Sequence, residues 1–235
     1  MDVVPVIDVR HGAAVAAIRG DRASYRPLAT PLAEGSDPVA VARGYARLFT
    51  FPILYIADLD GIEGRGRNAG LIGALAAALP GVRLWVDDGA RPVEAGRRIA
   101  AQSAWLPVVG TESMEGETDI DALRSLPRDG YVLSLDFRRE GFIGPPVVLH
   151  EPLYWPRDII VMTLARVGAG EGPDLERVKD IVARAQGRRV YAAGGVRDRA
   201  DVEALHQAGA AGVLVASALH AGKVKAGDLR EIAGL

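Results

Sequence analysis

Short apolar runs alternate with longer helix-patterned stretches along the whole chain. The runs are Val3–Val9, Ile53–Leu59, Arg83–Val86, Trp105–Val109, Tyr131–Asp136, Ile159–Thr163, Val190–Ala193 and Gly212–Ala216. Most are unbroken rather than alternating, which is the pattern of strands covered on both faces. Helical spacing fills Pro38–Leu48, Ala69–Leu79, Pro92–Gln102, Asp174–Gln186 and Asp198–Ala208. Pro38 follows Asp37 and Pro92 follows Arg91, so each proline fits the first helical turn, where its missing N–H costs nothing. Eight strands alternating with helices predict an α/β fold, a closed (β/α)8 TIM barrel. A doubly wound open sheet is the competing arrangement. One unit departs from the pattern. Pro145, Pro146, Pro152 and Pro156 crowd the segment between Asp136 and Asp158. They predict an irregular fifth βα unit, a loop with at most a short turn.

The pattern also repeats. At an offset of 106, Gly81-Val82-Arg83-Leu84-Trp85 falls on Gly187-Arg188-Arg189-Val190-Tyr191, and Gly89 and Arg91 fall on Gly195 and Arg197. Val109-Gly110-Thr111 falls on Val215-Ala216-Ser217 in the same register. At an offset of 128, Ile7-Asp8-Val9-Arg10 falls on Leu135-Asp136-Phe137-Arg138. The chain therefore reads as two (β/α)4 half-barrel repeats, with extra residues in the first loop around Arg19 to Glu34. Strands 1 and 5 of such a barrel lie opposite each other. Asp8 and Asp136 would then face one another across the C-terminal mouth, where opposed acid and base groups are useful.

Bulk composition narrows the partners. A length of 235 residues suits one barrel domain over 1–235, since this fold takes about 250 residues. A net charge of −2 offers nothing to nucleic acid or an anionic membrane. No apolar run approaches the roughly 20 residues of a membrane span. The absence of cysteine excludes disulfides, thiolate zinc sites and cysteine nucleophiles. With no basic leader ahead of Val3, the expectation is a cytoplasmic protein, a monomer or weak homo-oligomer, with a small phosphorylated substrate as its partner. No histidine or carboxylate pair has metal-ligand spacing, so neither a metal nor a cofactor is expected. Asp87 and Asp88 are the one place for Mg²⁺, and neighbours on a strand end point to opposite faces.

The second half carries a phosphate signature. Gly168 and Gly170 follow the sixth strand, Gly194 and Gly195 the seventh, and Ala216 and Ser217 the eighth. Glycine lets backbone N–H groups approach an anion that a side chain would hold off. The first half is altered, with Asp87-Asp88-Gly89 standing where the second half has Ala193-Gly194-Gly195. Gly110 and Thr111 keep some donor capacity, but Glu112, Asp58 and Asp60 add charge that repels phosphate. Those acids either hold an amine, a hydroxyl-rich group or a cation, or are neutralised by Arg65, Arg67 and Arg91. Among the histidines, His11 is a candidate mouth residue, His150 lies in the irregular loop, His206 is on a polar helix, and His220 is placed to cap the turn after Ser217.

Asp8 in Val6-Ile7-Asp8, Ala57-Asp58-Leu59-Asp60, Ser134-Leu135-Asp136, Thr163 and Ala192-Ala193-Gly194-Gly195-Val196 together resemble the HisA/HisF family, in order and over essentially the whole chain. The resemblance implies a HisA-like aldose–ketose (Amadori) isomerase of a phosphorylated aminosugar, as in histidine biosynthesis. It places the general base at Asp8, the general acid at Asp136 and an assisting threonine at Thr163. HisF would need a lysine where Arg10, His11 and Gly12 stand. The Asp87-Asp88 replacement, Gly168-Ala169 in place of an expected Asp-Gly pair, and segments such as Arg22–Leu28 and Ala216–His220 also resemble a HisA/HisF-related group tied to one-carbon (methanopterin or methanofuran) metabolism. A catalytically silent phosphometabolite-binding barrel is the third alternative.

Overall fold

A computed structural model describes all residues, Met1–Leu235. Its strands are β1 (Asp2–Arg10), β2 (Ala13–Ala16), β3 (Arg26–Pro27), β4 (Ile53–Asp58), β5 (Arg83–Asp87), β6 (Leu106–Gly110), β7 (Val132–Arg138), β8 (Gly141–Ile143), β9 (Asp158–Thr163), β10 (Arg189–Ala193) and β11 (Gly212–Val215). Eight of these, β1, β4, β5, β6, β7, β9, β10 and β11, are parallel neighbours in that order. β11 pairs back onto β1, with Asp2 opposite Gly212, and the barrel closes. Closure leaves no open edge, which decides against the doubly wound sheet. All eight predicted strands are present, and Pro38–Leu48 is a helix with the expected bounds. Asp37 caps that helix through the N–H groups of Val39 and Ala40.

Two helices of eight residues or more were not expected from the sequence, Gly116–Ser125 and Ala226–Ala233, nor was the single turn Leu59–Ile62. The first buries only Asp119 and Leu123, so its apolar stripe is too thin to register. The fifth unit has no long helix, but it is more ordered than a loop. β8 folds back antiparallel on β7, pairing Ile143 with Asp136. A five-residue helix, Pro146–His150, and a tight turn at Pro152–Tyr154 follow. Trp155 is fully buried in this unit, with its indole N–H donating to the Val148 carbonyl at 2.6 Å.

Alternation along each strand sorts side chains into two layers. Val4, Ile53, Tyr55, Ala57, Trp85, Val108, Val132, Ile160, Tyr191, Ala193 and Leu214 pack together inside the barrel. Their chain neighbours Val3, Leu54, Ile56, Leu84, Val86, Leu133, Ile159 and Val213 pack outward against the helices. Trp85 and Tyr191 meet edge to face across the axis at 4.8 Å. They occupy matching positions at the 106 offset, and the strands that carry them, Arg83–Asp87 and Arg189–Ala193, match end for end. Below them Tyr191 donates to Asp2 at 3.1 Å, and Arg189 pairs with the same carboxylate.

The first loop is tied across the barrel mouth. A two-residue turn at His11 and Gly12, with φ of 50° and 76°, folds β2 antiparallel onto β1. The chain then runs over the sixth barrel strand's loop, where Gly20 N–H donates to the Val167 carbonyl at 3.0 Å. A methyl group on Gly168 would lie 2.2 Å from the Ala17 carbonyl oxygen, so glycine is required for this docking. Trp85→Ala removes the largest side chain from the axis. It is expected to cost about 3–5 kcal/mol, read as a lowered urea midpoint; a loss below about 1 kcal/mol would mean that the axial contact carries little of the core.

Candidate active site

The C-terminal ends of the strands surround a cavity of about 800 Å³. Asp8, Asp87 and Asp136 line it, as do Gly168, Gly170, Gly194, Gly195, Ala216 and Ser217. These residues come from the ends of six strands, and only barrel closure gathers them. Asp8 lies on β1 and Asp136 on β7, the first and fifth strands around the barrel and so on opposite sides.

The three inward carboxylates differ in their partners. Asp136 accepts from Ser134 Oγ at 2.6 Å and from Glu112 N–H at 3.0 Å, while its own N–H donates to Thr111 Oγ1 at 2.9 Å. Burial pushes its carboxyl up to about 8, the nearby Glu112 charge adds to the rise, and the Ser134 bond opposes it. Asp87 accepts from Tyr55 at 3.1 Å and from Gly89 N–H at 3.1 Å. Its carboxyl is raised to about 6, chiefly by burial. Asp8 has no hydrogen-bond partner for its carboxylate; burial raises it to about 7, and the Arg22 charge partly offsets that.

Several sequence expectations are corrected by strand alternation. Thr163 is buried but does not line the cavity; its neighbours Met162 and Leu164 do. Thr163 follows an inward Met162, so its side chain falls on the helix side. Asp88, next to inward Asp87, points outward and pairs with Arg98 and Arg67. Asp58 follows inward Ala57 and accepts from Gly61 N–H and both nitrogens of Asn68. Asp60 accepts from His11 N–H at 2.6 Å and from Asn68 at 2.9 Å. These acids fasten loops and do not line the cavity. Gly89, Gly110 and Thr111 stand outside the lining too. A methyl on Gly89 would lie 2.8 Å from Ile62 Cα, and one on Gly110 would lie 3.0 Å from Asp136 Oδ2. Of the arginines expected to neutralise the first half, Arg91 goes to Asp119 and Glu115, Arg65 to Glu63, and only Arg67 reaches Asp88.

Other lining residues were not foreseen as site residues. Tyr55, Arg22, Arg138 and Lys223 all line the cavity. Tyr55 sits two positions before inward Ala57, so alternation alone points to it. Arg22 arrives from the first loop; Arg10 holds its carbonyl, and Glu112 holds its guanidinium. No spacing rule links residues 22 and 112. His11 and His150 are exposed and outside the lining. His220 does more than cap a turn. Its ring joins Tyr45 Oη at 2.8 Å to Thr30 Oγ1 at 3.0 Å, and burial lowers its pKa to about 4.

The second half of the cavity is rich in unengaged donors. The backbone N–H groups of Gly168, Gly170, Gly194, Gly195 and Ala216 have no acceptor within the chain. Gly194 and Gly195 hold φ of 98° and 89°, a region that favours glycine. Methyl groups there would lie 2.5 Å from the Thr163 oxygen and 2.3 Å from the Gly172 oxygen. Free N–H groups gathered along one side of a cavity suit an oxyanion. No set of three metal-ligating side chains converges in the structure, and no helix is long and apolar enough to cross a membrane.

This geometry agrees with what the chain is similar to. Over 95% of its length it is 33% identical to a 1-(5-phosphoribosyl)-5-((5-phosphoribosylamino)methylideneamino) imidazole-4-carboxamide isomerase of Pyrobaculum aerophilum, covering 97% of that protein. An isomerase of the same name from Thermococcus kodakarensis is 31% identical over 99% of the chain and 97% of its own length. An uncharacterised protein of Methanocaldococcus jannaschii is 30% identical over 99% of the chain and 97% of its own length. The sequence model described as histidine biosynthesis protein matches residues 2–152 and 155–225, and the chain belongs to that family.

Proposed function

We propose that the protein is a HisA-type aldose–ketose isomerase that carries out an Amadori rearrangement on a phosphorylated aminosugar. The observation that carries this reading is the pair of inward carboxylates, Asp8 and Asp136, on opposite strands of one mouth, both raised into the range where proton transfer at neutral pH is efficient. The names of the Pyrobaculum and Thermococcus relatives support it. Neither the family nor these relatives lend support to the one-carbon alternative. Two opposed carboxylates poised to titrate near neutrality also speak against a silent binding barrel. A cytoplasmic setting goes with this reading.

In the proposed reaction, protonated Asp136 gives a proton to the ring oxygen of the aminoaldose. The ring C1–O bond breaks as the amine nitrogen lone pair forms C1=N. Ionised Asp8 takes the proton from C2, and the electrons of that C–H bond form C1=C2 as the C1=N pair returns to nitrogen. The enolamine then becomes the ketose when C1 gains a proton and the C2 hydroxyl loses one. No net proton or electron is consumed. The order of the two pKa values suits these roles, since the group nearer 7 ionises before the group nearer 8. The glycine loops of the second half hold the substrate phosphate in this reading. Thr163, buried beneath Gly194, acts there as backbone support and not as a proton carrier.

Asp8→Asn and Asp136→Asn are each expected to lower kcat by at least about 100-fold, with KM changed much less. Optically followed turnover of aminoaldoses carrying one and two phosphates measures this, and a fully active Asp136→Asn enzyme would sink the assignment. The wild-type kcat/KM profile is expected to be bell-shaped. It rises with an apparent pKa near 7 as Asp8 ionises and falls near 8 as Asp136 loses its proton. A flat profile between pH 6 and 9 would contradict these roles.

The raised carboxyl of Asp136 also predicts a stability effect. Between the usual carboxylate range and about 8, the unfolded chain has lost this proton and the folded chain retains it. Stability therefore falls as pH rises across that window. Asp136→Asn is expected to raise Tm at alkaline pH by roughly 4–8 °C, for a net gain of about 2 kcal/mol. The gain should shrink toward pH 4, and calorimetry at the two pH values decides it.

A further inference from the structure

The two halves of the cavity are built for opposite charges. We infer that the substrate carries a single phosphate, held in the glycine-loop half, and that Asp87 and Glu112 exclude a second phosphate from the other half. This inference rests on the isomerase reading and names the class of substrate for it.

Hydrogen-bond donors make the contrast. In the second half the N–H groups of Gly168, Gly170, Gly194, Gly195 and Ala216 are free of acceptors in the chain, and Lys223 stands on the lining. In the first half, several donors are taken by the chain's own carboxylates. Gly89, the counterpart of Gly195, gives its N–H to Asp87 Oδ1. The Tyr55 hydroxyl goes to Asp87 Oδ2. The Glu112 N–H goes to Asp136.

The cations of that half are engaged as well. Arg22 and Arg138 both line the cavity. Arg22 binds one oxygen of Glu112, and Arg138 lies 3.6 Å from the other. Glu112 thus occupies the place between two guanidinium groups that a phosphate would otherwise take. Asp87 has no cation within ion-pair distance and projects inward where the second half has Ala193. A phosphate entering here would have to displace Glu112 from both arginines and then sit beside the Glu112 and Asp87 carboxylates. A neutral polar or cationic far end meets neither obstacle.

The test is binding of ribose 5-phosphate and ribulose 1,5-bisphosphate to the whole protein by calorimetry, with inorganic phosphate to count sites. Wild type is expected to bind one equivalent of inorganic phosphate and to hold the bisphosphate no tighter than the monophosphate. Ser217→Asp, at an exposed position, is expected to abolish that binding. Asp87→Gly combined with Glu112→Gln is expected to gain at least about tenfold for the bisphosphate. Two equivalents of phosphate on wild type, or a tenfold preference of wild type for the bisphosphate that Arg22→Ala removes, would overturn the inference. So would a folded double variant with no gain. Failure of the isomerase reading looks different: no aminoaldose of either kind turns over, while one phosphate equivalent still binds.

Discussion

A strand in a closed parallel barrel can give only every second residue to the interior, and this rule decides the chemistry of the mouth. Asp8, Asp87 and Asp136 fall on inward positions and reach the cavity. Asp58 and Asp88 are one residue out of phase and go to Asn68 and to Arg98. Thr163, one step beyond inward Met162, is buried behind the wall. Residues adjacent in sequence and alike in charge are thereby assigned to different tasks, one to the reaction and one to holding loops in place.

Placing three carboxylates inside has an electrostatic consequence. Burial withdraws these acids from water and disfavours their charged form, and at Asp87 and Asp136 the neighbouring Glu112 charge adds to the effect. The inward acids therefore keep their protons to higher pH than exposed ones. That retention is the property a neutral-pH acid–base pair needs, and it costs folding stability. Arg22, brought in by the first loop and pinned between Arg10 and Glu112, tempers Asp8 without forming an ion pair with it. The loop has to be docked for this to happen, which links Gly20 and Gly168, on the far side of the mouth, to the state of Asp8.

The halves share a frame and differ in their sites. Strands Arg83–Asp87 and Arg189–Ala193 correspond end for end, and Trp85 and Tyr191 at equivalent positions meet on the axis. Above that contact the correspondence fails. Asp87 replaces Ala193, and the turn that leaves Gly195 N–H free on one side ties Gly89 N–H to a carboxylate on the other. A common scaffold supports both because the strand ends tolerate side-chain changes that the packed layers below do not.

The order of strands and helices was largely legible in the sequence, because each buried strand is a short apolar run and most of the longer helices have an amphipathic face. The placement of Asp8 and Asp136 on opposite sides of the mouth was legible from their match at an offset of 128, and the glycine loops from the residues that follow the sixth, seventh and eighth strands. The thin helix Gly116–Ser125 and the hairpin strand Gly141–Ile143 were not, since one buries too little and the other is held by its pairing with β7. Tertiary structure alone decided that Thr163 lies behind the wall, that Asp87 and Asp88 part ways, and that Arg22 meets Glu112 across the mouth. Composition and local spacing record which groups a chain has and how often they recur. Whether a carboxylate meets solvent, an arginine or another carboxylate depends on contacts between residues far apart in sequence, and those exist only once the barrel has closed.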